Sequence, residues 1–309
     1  MKVLLTGGAG YIGSMLIPLL LESGCAVTVL DNLRFNGLSL LPYFMNPRFN
    51  FIKGDVRDEQ TVKEAIKGVD VIIHLAAIVG FPACKKEPKL AQETNFESTR
   101  LINKLRSPSQ AMIFASTNSN YGNVADGFCT EETPLNPLTI YGVTKTESEK
   151  LLLESKNVIV YRFATAFGLS SRLRLDLLIN DFVYQAIKNN NIIIYEKEFK
   201  RSFVHVRDIA RAIMFAIDHY DNMKDDVFNV GSENMNMSKK DLALLIKKKH
   251  DYILEFADNG EDPDKRNYEV SYEKIRKAGF HTTISIEDGV NELIRGLQVV
   301  ETQSMFANV

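Results

Sequence analysis

The chain has 309 residues, of which 45% are hydrophobic and 25% charged, and its formal net charge is −2. That balance describes a globular protein of one large domain or two ordinary ones and argues against a nucleic-acid-binding surface; no apolar run reaches the ~20 residues needed to span a bilayer. Cys25, Cys84 and Cys129 make neither a disulfide framework nor a zinc signature, the five histidines are scattered, and the apolar stretch after Lys2 is too short for a signal peptide, so a cytoplasmic protein without a metal is expected.

The first apolar run, Val3 to Leu5, ends at Thr6 and is followed by Gly7, Gly10 and Gly13. This reads as strand, tight turn and helix start, a place where an anion meets unpaired backbone N–H groups. A helix is predicted from about Tyr11 to Ser23, closed by Gly24 and kinked at Pro18. Strands are predicted at Ala26–Leu30, Phe49–Lys53, Val71–Leu75, Ala111–Ala115 and Val158–Arg162. Helices are expected at Glu59–Ile66, Pro88–Lys104 and Tyr141–Ser155. The alternation predicts an α/β fold, a Rossmann-type doubly wound parallel sheet covered on both faces. Thr6, Asp31, Asp55, Ala76 and Ser116 all fall at strand ends and should line one crevice. After Gly168 the pattern loosens into helices at Leu177–Asn190, Ser238–His250, Tyr272–Ala278 and Ile286–Leu297. Short strands are expected at Ile192–Tyr195, Phe203–Val206 and Val227–Val230, the last returning to the sheet, and the residues after Val299 read as a frayed tail. The expected division is a dinucleotide-binding domain over 1–165, rejoined by 204–231, and a smaller α/β substrate-binding lobe from 166–203 and 232–309.

Asp31 ends the second strand, 18 residues after Gly13. A carboxylate there accepts hydrogen bonds from both ribose hydroxyls of an adenosine and repels a 2′-phosphate, which favours NAD over NADP. Arg34 nearby can accommodate a phosphate and leaves the preference open. Tyr141 and Lys145 lie four apart on a predicted helix and so share a face. A tyrosinate base near neutral pH needs a fall of roughly 3 units, about 4 kcal/mol, from an ordinary value of about 10. One cation at ~4 Å supplies on the order of 4 kcal/mol at an effective dielectric of ~20. Lys145 and a positive nicotinamide ring together suffice for Tyr141 to take a hydroxyl proton. In Phe114–Gly122 (FASTNSNYG) a hydroxyl of Ser116 or Thr117 can hold the reacting oxygen; an ordinary turn after a strand has the same composition.

The chain resembles the extended short-chain dehydrogenase/reductases, the nucleotide-sugar epimerase/dehydratase family, over nearly its whole length. TGGAGYIG (Thr6–Gly13), HLAA (His74–Ala77), the hydroxyls before Tyr121-Gly122, YGVTK (Tyr141–Lys145) and RSFVHVRD (Arg201–Asp208) occur in the family's order. The resemblance implies NAD contacts from Gly7, Gly10, Tyr11, Ile12, Gly13, Asp31, Asn32, Asp55, Val56, Leu75, Ala76, Ala77, Asn95, Ser116, Tyr141 and Lys145. It gives Thr117 the substrate oxygen and Arg201 and Arg266 a nucleotide diphosphate, which a guanidinium fork suits. Arg172 and Arg174, in the segment Arg172–Asp181 that also holds Asn180, are candidates for sugar or phosphate contacts. The chain departs from the family's dehydratases in carrying Asn118 and Ser119 where those enzymes have acids, which disfavours dehydration. Thr165 stands where the family commonly has Asn. The implied activity is NAD-dependent oxidation of the C4′ hydroxyl of a GDP- or UDP-linked hexose or heptose for surface polysaccharides. It ends as a 4-keto-forming dehydrogenase or as a 4-epimerase. A non-catalytic NAD-sensing protein is the alternative of another class. The helices at Pro88–Lys104 and Tyr141–Ser155 imply a homodimer.

Overall fold

The computed structural model describes residues 1–257, 266–301 and 306–308. The first half alternates strands and helices: β1 (Lys2–Thr6), α1 (Gly13–Glu22), β2 (Ala26–Asp31), β3 (Phe49–Lys53), α2 (Glu59–Ala65), β4 (Val71–His74), α3 (Phe81–Lys86), α4 (Pro88–Gln92), α5 (Ser98–Leu105), β5 (Ala111–Thr117), β6 (Asn123–Cys129), α6 (Ile140–Ser155) and β7 (Val158–Phe163). The second half holds β8 (Thr165–Phe167), α7 (Leu178–Asn189), β9 (Asn191–Ile194), β10 (Lys200–His205), α8 (Val206–Asp218), α9 (Tyr220–Met223), β11 (Asp226–Val230), β12 (Asn236–Ser238), α10 (Lys239–Lys249), β13 (Ile253–Phe256), β14 (Asn267–Val270), α11 (Glu273–Lys277) and α12 (Ile286–Gly296).

Seven parallel strands form the central sheet in the order β3-β2-β1-β4-β5-β7-β11. The chain reverses direction across the sheet between β1 and β4, which opens a crevice at the strands' carboxyl ends. Sheet residues are buried on both faces, as helices on each side require. On one face Leu5, Val29 and Ile113 meet Leu16, Ile17 and Leu20 of α1 and Ile209 and Ile213 of α8. On the other, Leu4, Ile72 and Phe114 meet Val62, Ile102 and Leu152. A separate core joins Phe167, Phe182, Phe203, Leu242, Ile246 and Leu293 over the sheet's edge. The expected return strand is β11, at the sheet's end beside β7.

Several boundaries differ from the sequence expectation for physical reasons. α1 runs through Pro18 without breaking. Proline removes the donor that Ser14's carbonyl would accept, and the Tyr43 hydroxyl faces that oxygen at 3.5 Å. The helix expected over Pro88–Lys104 is in three pieces, α4, a π-helical turn at Glu93–Glu97, and α5. β5 extends to Thr117, so Ser116 and Thr117 lie in the strand and not after it. The described part of the tail is docked and not frayed: the Phe306 carbonyl accepts from the Leu175 amide at 2.9 Å, and the Phe306 side chain packs on the lobe core. Residues 302–305 and 309 lie outside the described residues, as does the DPDK part of the segment before Arg266.

Asp208 ties α8 to the last segment of the lobe. Its fully buried carboxylate accepts from the Thr283 amide at 3.1 Å, the Ile284 amide at 3.0 Å and the Thr283 hydroxyl, and pairs with Arg211. Asp208→Ala strands two backbone donors and should cost about 3 kcal/mol or more of stability, read as a lower midpoint in urea unfolding; an unchanged midpoint contradicts this.

Candidate active site

A cavity of about 700 Å³ opens at the carboxyl end of the sheet. Gly7, Gly10, Tyr11, Ile12 and Gly13 line its floor. Gly7 sits at φ +71°, and a Cβ there would stand 2.8 Å from the Ala76 nitrogen. A Cβ at Gly13 would stand 2.5 Å from the Gly8 carbonyl oxygen, so the start of α1 can close on the turn only without side chains. Leu75, Ala76 and Ala77, just after β4, form the adjacent wall.

Asp31 lies at the cavity's edge, where its carboxylate accepts from the Ala9 amide at 3.0 Å and the Leu33 amide at 2.8 Å. Burial raises its pKa, while the two amide bonds and the nearby Arg172 pull it down. Arg172 lies 4.5 Å from the Phe35 ring centroid and donates to the Asn308 side chain at 2.7 Å, so the loop after β8 and the tail meet over this end. No local pattern links positions 35, 172 and 308, and sequence reading missed the arrangement. Arg34, which left the phosphate preference open, pairs with Glu87. Asn32 and Val56 line the cavity.

Four residues expected to contact ligand already have protein partners. Asp55 is held by Arg57 and by the Asn32 amide at 3.2 Å, and does not line the cavity among the described residues. Its carboxyl sits below the usual range because of Arg57. Asn95 is spent on the loop above: its side chain accepts from the Ile78 amide at 2.7 Å and donates to the Ile78 carbonyl and the Thr144 hydroxyl. Ser116 lines the cavity, but its hydroxyl donates to Glu149 at 2.9 Å. Asn180 is buried scaffold, accepting from the Gly168 amide at 2.9 Å and donating to the Arg174 carbonyl at 2.8 Å. Short polar side chains in apolar cores must find partners, and these found protein ones.

Thr117, Tyr141 and Lys145 converge on the cavity. The Thr139 hydroxyl caps α6 by accepting from the Gly142 amide at 3.1 Å, which starts the helix one residue before Tyr141. The Thr117 hydroxyl favours the ionised form of the neighbouring Tyr141 phenol and donates to Ser119 Oγ at 3.1 Å. Burial pushes the Tyr141 phenol up to about 12, against the pull of Arg174, Arg266 and Thr117. Lys145 Nζ lies 4.6 Å from the Phe114 ring centroid, and burial pushes its ammonium down to about 7. Burial thus pushes both groups toward their neutral forms. His74, from the HLAA stretch, is buried beside Lys145 and pushed down to about 3, chiefly by burial. Its ring joins the Thr6 hydroxyl at 2.7 Å and the Thr99 hydroxyl at 3.0 Å.

The lobe supplies the far wall. Thr165 lines it from β8, in register with Phe203 of β10. Arg174 pairs with Asp176; Arg201 donates to the carbonyls of Lys200 and Arg266; and the Arg266 guanidinium donates to the Ser119 hydroxyl. All three arginines line the cavity. Asn118 turns away and donates to the Tyr272 hydroxyl at 3.0 Å.

A doubly wound sheet with a side-chain-free turn closing on a helix start, and a carboxylate at the end of β2, is a dinucleotide-binding fold. Gly7, Gly10 and Gly13 line the cavity at the start of α1, where a helix N-terminus favours an anion, so these residues fit a pyrophosphate. The description "NAD dependent epimerase/dehydratase family" matches residues 3–231. The chain is 28% identical to low-salt glycan biosynthesis protein Agl12 of Haloferax volcanii over 95% of this chain and 97% of that one. It is 32% identical to a protein of Bacillus subtilis named uncharacterized UDP-glucose epimerase YtcB, over 79% of this chain and 81% of that one. The structure of dTDP-glucose 4,6-dehydratase from Bacillus anthracis in complex with NAD superposes with a TM-score of 0.84 at 25% identity, covering 97% of each chain. The chain belongs to the NAD dependent epimerase/dehydratase family, an enzyme family acting on nucleotide sugars, and its cofactor is NAD. Among the described residues no helix is long and apolar enough to cross a membrane.

Asp31→Ala should weaken NAD binding about tenfold or more and narrow the preference over NADP, since a charged acceptor for ribose hydroxyls is lost. Parallel titrations of the two cofactors check this; an unchanged ratio contradicts the role.

Proposed function

We propose that this chain oxidises the C4′ hydroxyl of a nucleotide-activated sugar, with a GDP- or UDP-linked hexose or heptose as substrate and a 4-keto sugar as product, in the building of a surface polysaccharide. The observation that carries the reading is the meeting of Thr117, Tyr141 and Lys145 on one cavity, with Lys145 one turn along the helix from Tyr141. Thr117 holds the substrate oxygen, and Tyr141 takes its proton as the carbon gives up hydride. Gly7, Gly10, Ile12 and Asp31 would hold NAD, which would supply the hydride acceptor and a positive ring that adds to the pull of Arg174 and Arg266 on the phenol. Arg201 and Arg266 grip the diphosphate, with Arg174 beside the sugar. Dehydration is not favoured: Asn118 faces Tyr272, and Ser119, occupied by Arg266 and Thr117, cannot move a proton as a carboxylate does.

A second reading, 4-epimerisation by re-reduction of the keto sugar, has its own support. Asn118 donates to the Tyr272 hydroxyl and does not line the cavity among the described residues, so it takes no part in the choice between release and re-reduction. The contact of Arg172 with Asn308 favours a cofactor kept through turnover.

Incubation with UDP-, GDP- and dTDP-sugars, followed by NADH absorbance and product NMR, separates the two: NADH with a 4-keto product marks the dehydrogenase, an inverted C4 centre without net NADH the epimerase. Tyr141→Phe should lower kcat by ~10²–10⁴ while NAD stays bound, and turnover should rise with pH as the phenol ionises. Undiminished turnover of this variant ends the mechanism. A homodimer through the segment Pro88–Lys104 and α6, where Val143 is 38% exposed, completes the proposal. Sedimentation at micromolar protein should give twice the chain mass; a monomer mass rejects it.

A further inference from the structure

Glu149 follows Tyr141 and Lys145 at the same four-residue spacing on α6, but it does not line the cavity. It is 2% exposed and sits between the helix and the sheet. Its carboxylate pairs with Arg162 of β7, whose Nε lies 3.1 Å from one oxygen and 3.2 Å from the other. The same carboxylate accepts from the Ser116 hydroxyl at 2.9 Å and the Asn120 amide at 3.4 Å. Asn120 also donates to Ser116 Oγ at 3.1 Å. Arg162 then reaches the Tyr121 hydroxyl at 3.0 Å, and Tyr121 donates to Asn229 of β11 at 2.7 Å. Ser116 and Arg162 are register partners across β5 and β7. Residues on both sides of Thr117 are thus held to one buried anion on the helix that carries Tyr141.

We propose that Glu149 is a positioning residue, whose buried pair with Arg162 and bonds to Ser116 and Asn120 set the Thr117 hydroxyl against the Tyr141 phenol. Nothing apolar can do this at that site. Burying an ion pair gives little stability over an apolar pair, but its bonds are directional and fix one relation between helix and strand. Without the clamp, β5 and α6 keep their apolar contacts through Phe114 and Leu152, while Ser116 and Asn120 on either side of Thr117 lose their shared anchor. The inference rests on the proposed roles of Thr117 and Tyr141, and its test needs no substrate.

Tyrosinate absorbance of the NAD-loaded protein, taken as the difference from Tyr141→Phe, gives the ionisation of Tyr141 alone. Thr117→Val removes a hydroxyl whose proton can turn from Ser119 to the tyrosinate, and should raise that midpoint by roughly half a unit to one unit. Glu149→Gln should raise it in the same direction by a similar amount, and the double variant Thr117→Val/Glu149→Gln no further. Should Glu149→Gln fail to fold, Ser116→Ala cuts one link only and should give a smaller rise, again lost in the Thr117→Val background. A Tyr141 midpoint unmoved by the clamp variant, or shifts that add in the double variant, overturns the proposal, as does a Thr117→Val that moves nothing. Absence of turnover in the sugar panel leaves this titration intact, so the two failures are distinct.

Discussion

The site depends on how closely two strands' ends approach at the point where the sheet changes direction. Gly7, after β1, lies so near Ala76, after β4, that even a methyl group would collide with the backbone. That approach is fastened from one side by the Thr6 hydroxyl, which accepts from the Ala76 amide at 3.2 Å. The floor of the cofactor cleft is therefore a backbone-to-backbone contact, and the chemistry above it inherits its geometry. Tyr141 and Thr117 reach the same crevice because β5 lies next to β4 in the sheet and α6 packs over it.

The lobe contributes charge where the sheet contributes shape. The chain as a whole is slightly negative, yet Arg172, Arg174, Arg201 and Arg266 gather along one wall from widely separated positions. Burial and the neighbouring Arg174 push the Arg172 guanidinium down to about 10. Concentrating like charges in a half-enclosed space is unfavourable by itself, and the wall becomes favourable as anionic groups enter it. Each guanidinium is held meanwhile by a carbonyl, hydroxyl, amide or carboxylate, which keeps its fork aimed.

The fold was legible because its determinants are local: apolar runs of strand length, a glycine turn, polar caps. The placement of Gly7, Asp31, Thr117, Tyr141 and Lys145 around the cavity was legible too, since they stand at strand ends and on one helix face. What sequence could not give was the direction of short polar side chains. Asn95, Asn180 and Ser116 were expected to face ligand, yet their partners are Ile78, Gly168 and Glu149, contacts at long sequence distance that no spacing reports. Glu149 was invisible for the complementary reason, as a glutamate on a helix reads as a solvated face. The break at Glu93–Glu97 was equally hidden, since a π turn carries no composition of its own.

One group of bonds beneath the cofactor floor has a direction as well as a location. The Ala76 amide can only donate, and at the other end the Asn95 carbonyl can only accept, from Thr99 Oγ at 2.8 Å. Between them stand the Thr6 hydroxyl, the His74 ring and the Thr99 hydroxyl. With both ends fixed, every proton in the row has one place: on Thr6 Oγ toward Nδ1, on Nε2 toward Thr99, on Thr99 toward Asn95. His74 is thereby an uncharged relay of orientation, a single tautomer imposed from outside. The row is a wire with one polarity, joining the glycine turn to the widened helix turn, and no hydroxyl in it can rotate without breaking a bond.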